Sequence, residues 1–273
     1  MEGYEINTLD LVIAALIMLL PISVLAYYRT GLIKDTLIAY GRMVLQLSLV
    51  GLYLEFIFDI NSLWLNIAWV AVMIIAAAMA ITGRAGIKYR YLAPALGLSI
   101  LVNVVVNGLI YIFLIVGWPD FLDARYIIPI MGMVIGNTLG ATVIGIRSFF
   151  NGLSKDSNVY QYYLMCGATK GEALFRFMSK AMQDAFSPNI ASTATIGLIW
   201  LPGMMTGQIL GGASPVTAIK YQIMIIISIF VGGVITVWLS LLISKRFVFD
   251  DYDLFDQGIF RGQKAKKAHT AKS

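Results

Sequence analysis

Long apolar runs alternate with short polar links along most of this chain. Seven of the runs approach twenty residues, and a helix of that length is enough to cross a hydrocarbon core of about 30 Å. They are Leu9–Tyr27, Thr36–Phe58, Leu63–Thr82, Leu92–Val116, Ile127–Ile146, Asn189–Gly212 and Tyr221–Ile243. The pattern predicts an all-α polytopic membrane protein with seven transmembrane helices.

A polar and amphipathic segment, residues 147–188, separates the fifth and sixth predicted spans. Apolar residues recur at helical spacing in its second half, just after Thr169 and Glu172, which fit a capping box at a helix start. Gly167 suits a chain reversal immediately before that cap. We expect a helix, a tight break and a second helix, with Ser187–Pro188 beginning the next helix.

Two interpretations of this segment follow from its pattern. An amphipathic helix that lies on the membrane surface is common in membrane proteins. The sharper hypothesis is a docking helix that receives force from a soluble partner. The residues alone leave both interpretations open.

The distribution of Lys and Arg predicts the orientation of the chain. Seventeen of these residues lie in the links after spans one, three, five and seven, whereas only Arg125 and Lys220 lie in the opposite links. Because cytoplasmic loops carry the excess of basic residues, the N-terminus is predicted outside and the C-terminus inside. Residues 147–188 are then a cytoplasmic part of a predicted transmembrane domain, residues 1–246, in the cell membrane.

The remaining residues, 247–273, form a predicted cytoplasmic tail. Its first part, Phe249–Asp256, is acidic and aromatic, and the part from Arg261 onward is basic and low in complexity. Such a composition predicts a disordered end that is attracted to anionic membrane lipid.

Composition narrows the function classes. Only 13% of the 273 residues are charged, against about 25% in a soluble domain. The net charge of +5 is concentrated in the cytoplasmic links and does not indicate nucleic acid binding. A single Cys and a single His exclude an intrachain disulfide and a cysteine-cluster metal site, and they disfavour an intramembrane enzyme. No P-loop sequence occurs, so the chain is not itself an ATPase.

Polar residues inside the predicted spans are costly unless they are partnered or functional. Asn103 and Asn107 belong to an i, i+4 stripe with Ser99 and Tyr111, which either interhelical hydrogen bonds or a pore would explain. Pro202–Gly203 predicts a kinked or broken sixth span. The predicted translocation-path residues are Arg42, Gln46, Asn103, Asn107, Asn137, Met204, Met205, Thr206 and Gln208.

Small residues recur at helical spacing in the last three spans. In lipid, such seams let helix backbones approach closely, as in ordinary bundle packing or in helices that slide or dimerise. The seams are Gly132, Gly136 and Gly140, then Gly203, Gly207 and Gly211, and then Ser228, Gly232, Thr236 and Ser240.

Two stretches resemble known transport proteins. Gly167–Thr169, followed by apolar residues at helical spacing, resembles the coupling-helix signature of ABC transporter permeases. Leu201–Leu210, with the sequence Leu-Pro-Gly-Met-Met-Thr-Gly-Gln-Ile-Leu, resembles the hallmark of the FetB-type iron-export permease family. Plant aluminium-tolerance transporter subunits look similar to that family, and Arg42–Leu47 and Gly132–Asn137 also match its pattern.

The resemblance implies a permease subunit, not an enzyme, that forms a homodimer and pairs with a cytosolic ABC ATPase. ATP and Mg would bind to that ATPase, and this chain would bind no cofactor. The ATPase would couple through Gly167, Ala168, Thr169 and Glu172. The expected cargo is a metal ion, iron, exported from the cytoplasm, and the resemblance supplies no metal-ligating residues.

Two other functions stay open at this point. An ABC permease could carry a nucleotide-sugar or another organic solute, although an anionic cargo would want more intramembrane cations than Arg42. Outside transport, the chain could be a membrane interaction scaffold without a pore. In that case, changes at Asn107 or Gln208 would alter only stability.

Overall fold

The structure is a computed structural model that describes residues 8–113, 122–249, 253–255 and 257–260. Over these residues the ordered elements are helices, and backbone pairing outside them is limited to isolated bridges. The chain divides into two compact units, residues 1–60 and 61–273. The all-α prediction is therefore confirmed for the described part of the chain.

In its described residues the first unit contains three helices, α1 (Thr8–Ile17), α2 (Leu19–Tyr27) and α3 (Ile33–Ile60). The first predicted span is divided between α1 and α2. They are separated only at Met18, whose backbone stays right-handed helical with φ −64° and ψ −16°. The second predicted span lies within the 28-residue helix α3.

The second unit contains seven α-helices in its described residues. α10 packs along α5, while α6 contacts α4, α8 and α10 and so occupies the centre of the unit. The helices are α4 (Leu63–Ala85), α5 (Tyr89–Tyr111), α6 (Ala124–Lys155), α7 (Ser157–Met165), α8 (Lys170–Thr193), α9 (Gly203–Leu210) and α10 (Pro215–Val248).

Five helices in the described residues are long and apolar enough to cross a membrane, namely α3, α4, α5, α6 and α10. They correspond to predicted spans two, three, four, five and seven. The sixth predicted span is broken, because α8 ends at Thr193, residues 194–202 are irregular and α9 begins at Gly203. The predicted break near Pro202 is thus confirmed. The seven-span count and the orientation stay predictions.

One predicted boundary is wrong. The sequence predicts a new helix from Ser187–Pro188, but both residues lie inside α8. The Ser187 hydroxyl donates to the carbonyl oxygen of Gln183 at 2.7 Å, which is the back-bond of a serine in a helix and not a cap. Ala185 and Phe186 are buried just ahead of the proline, so packing holds this helix together across Pro188.

The described part of the predicted tail packs against the α7–α8 region. The Asp253 carboxylate forms an ion pair with the Lys170 ammonium at 2.5 Å. The backbone carbonyl of Asp253 accepts a hydrogen bond from the Tyr160 hydroxyl at 3.0 Å. Residues 261–273, for which the sequence predicts a disordered end, lie outside the described residues.

Candidate functional site

Helices α7 and α8 form a hairpin that reverses at residues 166–169, which we call the elbow. Gly167 has a φ of +89°, a conformation that glycine adopts without a side-chain clash. The N–H groups of Gly167 and Ala168 donate to the carbonyls of Leu164 and Tyr163, both at 3.0 Å. This pair of bonds is a Schellman motif, so the predicted chain reversal is confirmed.

A capping box starts α8 directly after the reversal. The Glu172 N–H donates to the Thr169 hydroxyl at 3.4 Å, and the Thr169 N–H donates to the Glu172 carboxylate at 2.7 Å. The Thr169 hydroxyl also lies 2.7 Å from that carboxylate. Hydrogen bonds from the Thr169 side chain first, and from its backbone second, lower the pKa of Glu172. The four residues predicted for coupling, Gly167, Ala168, Thr169 and Glu172, therefore lie close together where the hairpin reverses.

Apolar side chains on the hairpin are exposed. Met165 is 79% exposed and Phe175 is 73% exposed, and Tyr162 is 63% exposed. Neither α7 nor α8 is among the helices that are long and apolar enough to cross a membrane. A cluster of exposed apolar groups of this kind marks a surface for a protein partner or for lipid.

An open cavity of about 460 Å³ is lined by residues of α6, α8, α9, α10 and the irregular segment 194–202. Thioethers and apolar groups, including Met133, Met204 and Trp200, form part of its wall. None of its lining residues is charged. The polar side chains in the lining are Asn137, Asn189, Ser192, Thr193 and Gln222.

The cavity lies within the length of two membrane-crossing helices. Its lining positions on α6 and α10 are seven to fifteen residues from the helix starts at Ala124 and Pro215. At about 1.5 Å per residue, this places them about 10–22 Å along those helices. The broken sixth span is consistent with this position, because irregular backbone at membrane depth occurs where it lines a cavity or is covered by protein.

Gln222 is the polar residue of this cavity that reasoning from the sequence missed. Its side chain is only 7% exposed, and its Oε1 has no hydrogen-bond partner among the described residues. A buried polar atom without a partner costs free energy. The signal in the sequence is weak, because Gln222 lies at the very start of a predicted span, where glutamine is unremarkable.

The structure separates the predicted path residues. Asn137 and Met204 line the cavity. Asn103 and Asn107 are fully buried between α5 and α10, where the Asn103 Nδ2 donates to the Thr236 hydroxyl at 3.0 Å. The Asn107 Nδ2 donates to the Asn103 Oδ1 at 2.6 Å. The amide stripe therefore packs two helices together and lies away from the cavity lining.

The other predicted path residues lie outside the cavity lining too. On α9, Met205 is buried, Gln208 is half-buried and the Thr206 hydroxyl donates to the Pro202 carbonyl at 3.2 Å. Arg42 and Gln46 are exposed on α3, in the first unit. No group of three or more His, Cys, Asp or Glu in the described residues is placed to hold a metal ion.

Comparison with known proteins identifies relatives along nearly the whole chain. The profile of a family described as "Uncharacterised protein family (UPF0014)" matches residues 8–249. "Protein ALUMINUM SENSITIVE 3" of Arabidopsis thaliana is 34% identical over 223 residues, which are 81% of this chain and 79% of the relative. "UPF0014 membrane protein YjkA" of Bacillus subtilis is 31% identical over 232 residues, 84% of this chain and 90% of the relative.

A third relative carries a transport function in its name. "Probable iron export permease protein FetB" of Escherichia coli is 31% identical over 226 residues, which are 82% of this chain and 85% of the relative. No solved structure matches the chain.

Proposed function

The chain is a multi-pass membrane protein of the UPF0014 family, and we propose that it is the permease subunit of an ABC transporter that exports iron from the cytoplasm. The name of the Escherichia coli relative supports a permease and supports iron as the cargo. The elbow supports an ABC mechanism, in which a separate cytosolic ATPase binds ATP and Mg. The permease itself is then not an enzyme.

The observation that carries this proposal is the continuity of α8 between the elbow and the cavity. The helix begins at the Thr169 cap, and its last turn supplies Ser192 and Thr193 to the cavity wall. Its 24 residues span about 36 Å. Because an α-helix moves as a stiff unit, a displacement of the elbow by the ATPase would shift one wall of the cavity.

The hairpin surface supports docking of the ATPase. Met165 and Phe175 present exposed apolar area on either side of the elbow. Lys170, the first residue of α8, is held by its ion pair with Asp253 of the tail. This ion pair would restrain the hairpin relative to the tail, so that a displacement of the elbow by the ATPase is transmitted to α8.

Exposed apolar residues near the helix break support a homodimer. Leu198 is 89% exposed and Ile199 is 78% exposed, both in the irregular segment 194–202, and Leu210 on α9 is 81% exposed. Irregular backbone is not stable against lipid, so protein must cover it at membrane depth. A second copy of the permease would provide that cover and would place two cavities near one axis.

The uncharged cavity disfavours an anionic organic solute. A nucleotide-sugar carries phosphate charge, and the cavity lining has no Lys, Arg or His to balance it. A scaffold protein, in turn, has no need for a buried amide beside an open cavity. Iron as the cargo is supported by the name of the Escherichia coli relative.

Transport in inside-out vesicles tests the proposal. Vesicles that contain the permease and its ATPase should take up radiolabelled iron when ATP is supplied outside. Gly167→Val should reduce uptake and permease-stimulated ATP hydrolysis at least about tenfold, because a β-branched residue at positive φ strains the elbow.

Gly171→Ala is the matched control. Gly171 lies in the first turn of α8 with open space where a Cβ would be added, so alanine should leave transport intact. Full iron uptake and full ATP hydrolysis by Gly167→Val would show that the elbow does not couple the two subunits.

A further inference from the structure

We propose that the described tail residues 249, 253–255 and 257–260, which we call the strap, hold α7 and the elbow in the position where the ATPase docks. Tyr160 and Lys170 are the positioning residues through which the strap acts. This inference rests on the proposed function, because it gives the tail a role in docking of the ATPase. It is drawn from contacts between the tail and several helices of the second unit.

α7 depends on tertiary contacts for its stability. The helix has nine residues, and a helix shorter than about 12–15 residues is only marginally stable in water by itself. All nine residues are described, and Tyr160 is the only one of them that is buried. The surroundings of Tyr160 therefore decide how firmly α7 is held.

The strap supplies two contacts to Tyr160. The Tyr160 ring packs against Phe249, with 5.5 Å between the ring centroids. Its hydroxyl donates to the backbone carbonyl of Asp253 at 3.0 Å. Both the apolar ring and the polar end of this tyrosine are thus in contact with the strap.

A further contact joins the strap to the start of α8. The Lys170 ammonium lies 2.5 Å from the Asp253 carboxylate and 4.3 Å from the centre of the Phe249 ring. Both side chains of the ion pair are partly exposed, so the pair contributes little to the stability of the whole fold. Its effect is local, because Lys170 directly follows the Thr169 cap and adjoins the elbow.

The strap is also fixed to the bundle at points outside the hairpin. The Lys88 N–H, just before α5, donates to the carbonyl of Ile259 at 2.9 Å. Ile259 is buried, and so is Ile87 beside Lys88. The Phe255 ring stacks on Phe150 of α6, with 6.4 Å between the centroids. A segment that is held at these points can restrain α7 and the elbow relative to α5 and α6.

Hydrogen–deuterium exchange of the purified full-length permease in nanodiscs tests the inference without an ATPase. Phe255→Ala removes the ring between the strap and α6, and it should raise the exchange of α7 amides at least about tenfold. Tyr160→Phe loses only the hydroxyl, and it should raise that exchange about threefold. Amides of α9 are the reference and should exchange as in wild type.

Exchange of α7 amides at the wild-type rate in both variants would overturn the inference. Faster exchange that extends equally to α9 would overturn it as well. In that case the strap would support the fold as a whole and not the hairpin in particular.

Charge variants test whether the strap positions the elbow for the ATPase. Lys170→Gln and Asp253→Asn each remove the ion pair, and asparagine tolerates the φ of +57° at position 253. Each variant should raise the ATPase concentration that gives half-maximal ATP hydrolysis about threefold, with an unchanged maximal rate. The double variant should be no worse than either, because both changes remove the same interaction.

Two further variants are controls for this measurement. Lys170→Arg keeps the cation and should behave as wild type. Lys180→Gln removes the ion pair with Asp184 elsewhere on α8, and it should leave the half-maximal concentration unchanged. A wild-type half-maximal concentration in both Lys170→Gln and Asp253→Asn would overturn the docking role of the strap. An additive effect in the double variant would overturn it too, since the two side chains would then act separately.

The two measurements separate this inference from the proposed function. If the wild-type permease stimulates no ATPase, the exporter is rejected, while faster α7 exchange in Phe255→Ala and Tyr160→Phe would still keep the strap as the support of the elbow. ATP-driven iron uptake by wild type, together with unchanged α7 exchange in both variants, would reject the strap and keep the exporter.

Discussion

Two polar clusters on α10 are built in opposite ways. Between α5 and α10, Asn103 and Asn107 are fully buried and connect to Thr236 through hydrogen bonds. At the cavity, Gln222 is also buried, but its Oε1 has no partner in the described part of the chain. The first cluster joins two helices through hydrogen bonds, whereas the second holds a buried oxygen that bonds to no described residue.

The difference comes from how closely the helix backbones approach. At Gly232 on α10, an added Cβ would lie 2.1 Å from the Asn103 Oδ1 and 2.7 Å from the Asn107 Nδ2. This close approach lets short amide side chains reach a neighbouring helix. The Asn107 Oδ1 has no partner among the described residues, yet its Nδ2 is used in two bonds to Asn103. The close approach of α5 and α10 at Gly232 thus makes Asn103 and Asn107 structural residues.

The largest expected loss of stability comes from a substitution at Gly232, where α5 and α10 approach closely. Gly232→Ala should destabilise the protein by about 1–3 kcal/mol, because the new methyl group displaces both buried amides. Thermal unfolding in detergent, followed by fluorescence-detected gel filtration, measures the change.

Gly97→Ala is the control for that substitution. Gly97 lies on α5, and no atom of another helix lies within 4 Å of the position that its new methyl group would take. Alanine should therefore be neutral there or stabilise the helix by up to about 1 kcal/mol. Equal unfolding temperatures for the Gly232→Ala and Gly97→Ala variants would contradict the tight α5–α10 contact.

Replacement of an amide residue by leucine in each of the two clusters tests the comparison with the next largest expected change in stability. Asn103→Leu should cost about 1–2 kcal/mol, since it removes the side-chain amide that donates to Thr236 and accepts from Asn107. Gln222→Leu should change stability by less than about 0.5 kcal/mol or increase it, because its Oε1 has no partner among the described residues. Unfolding in detergent with graded denaturant compares the two. If Gln222→Leu were the more damaging change, the contrast between the clusters would be wrong.

The smallest effect is expected for a polar pair outside the membrane-crossing helices. Asp184 on α8 accepts hydrogen bonds from Lys180 at 2.8 Å and from Ser148 at 2.7 Å. The Lys180 bond first, and the Ser148 bond second, hold the pKa of Asp184 below its usual value. Both charged side chains are partly exposed, so solvent screening limits the contribution to about 0.5 kcal/mol.

The sign of the pH dependence follows from the lowered pKa of Asp184. Its contribution is complete above the unfolded-state pKa of about 3.9 and is lost as the pH falls through the folded-state pKa. Asp184→Asn should therefore be slightly less stable than wild type at pH 7, with a difference that shrinks below about pH 4. Unfolding curves at both pH values measure it, and a constant difference would contradict the prediction.

The elbow could be predicted from the sequence because its interactions are local. Gly167 and Thr169 work through hydrogen bonds to residues at most five positions away. Such bonds are set by residue type and spacing within a few positions and depend little on tertiary contacts. Ser187–Pro188 misled the same reasoning, since burial of the preceding turn against other helices outweighs the local preference of proline.

The cavity could not be predicted in this way. Its polar lining comes from three stretches, around Asn137, Thr193 and Gln222, which are far apart in the sequence. Asn137 and Asn103 meet the same criterion in the sequence, a polar residue in an apolar run. Their different environments depend on which helix each one faces.

The sequence by itself determined the membrane class, the helical content, the break in the sixth span and the capped elbow. Hydropathy acts on runs of about twenty residues, and caps act within one helical turn, so both are visible in a linear pattern. Only the tertiary structure decided that α8 extends from the elbow to the cavity and that Gln222 is buried there without a partner among the described residues. Those features depend on contacts between helices, and such contacts are set by packing across the whole bundle.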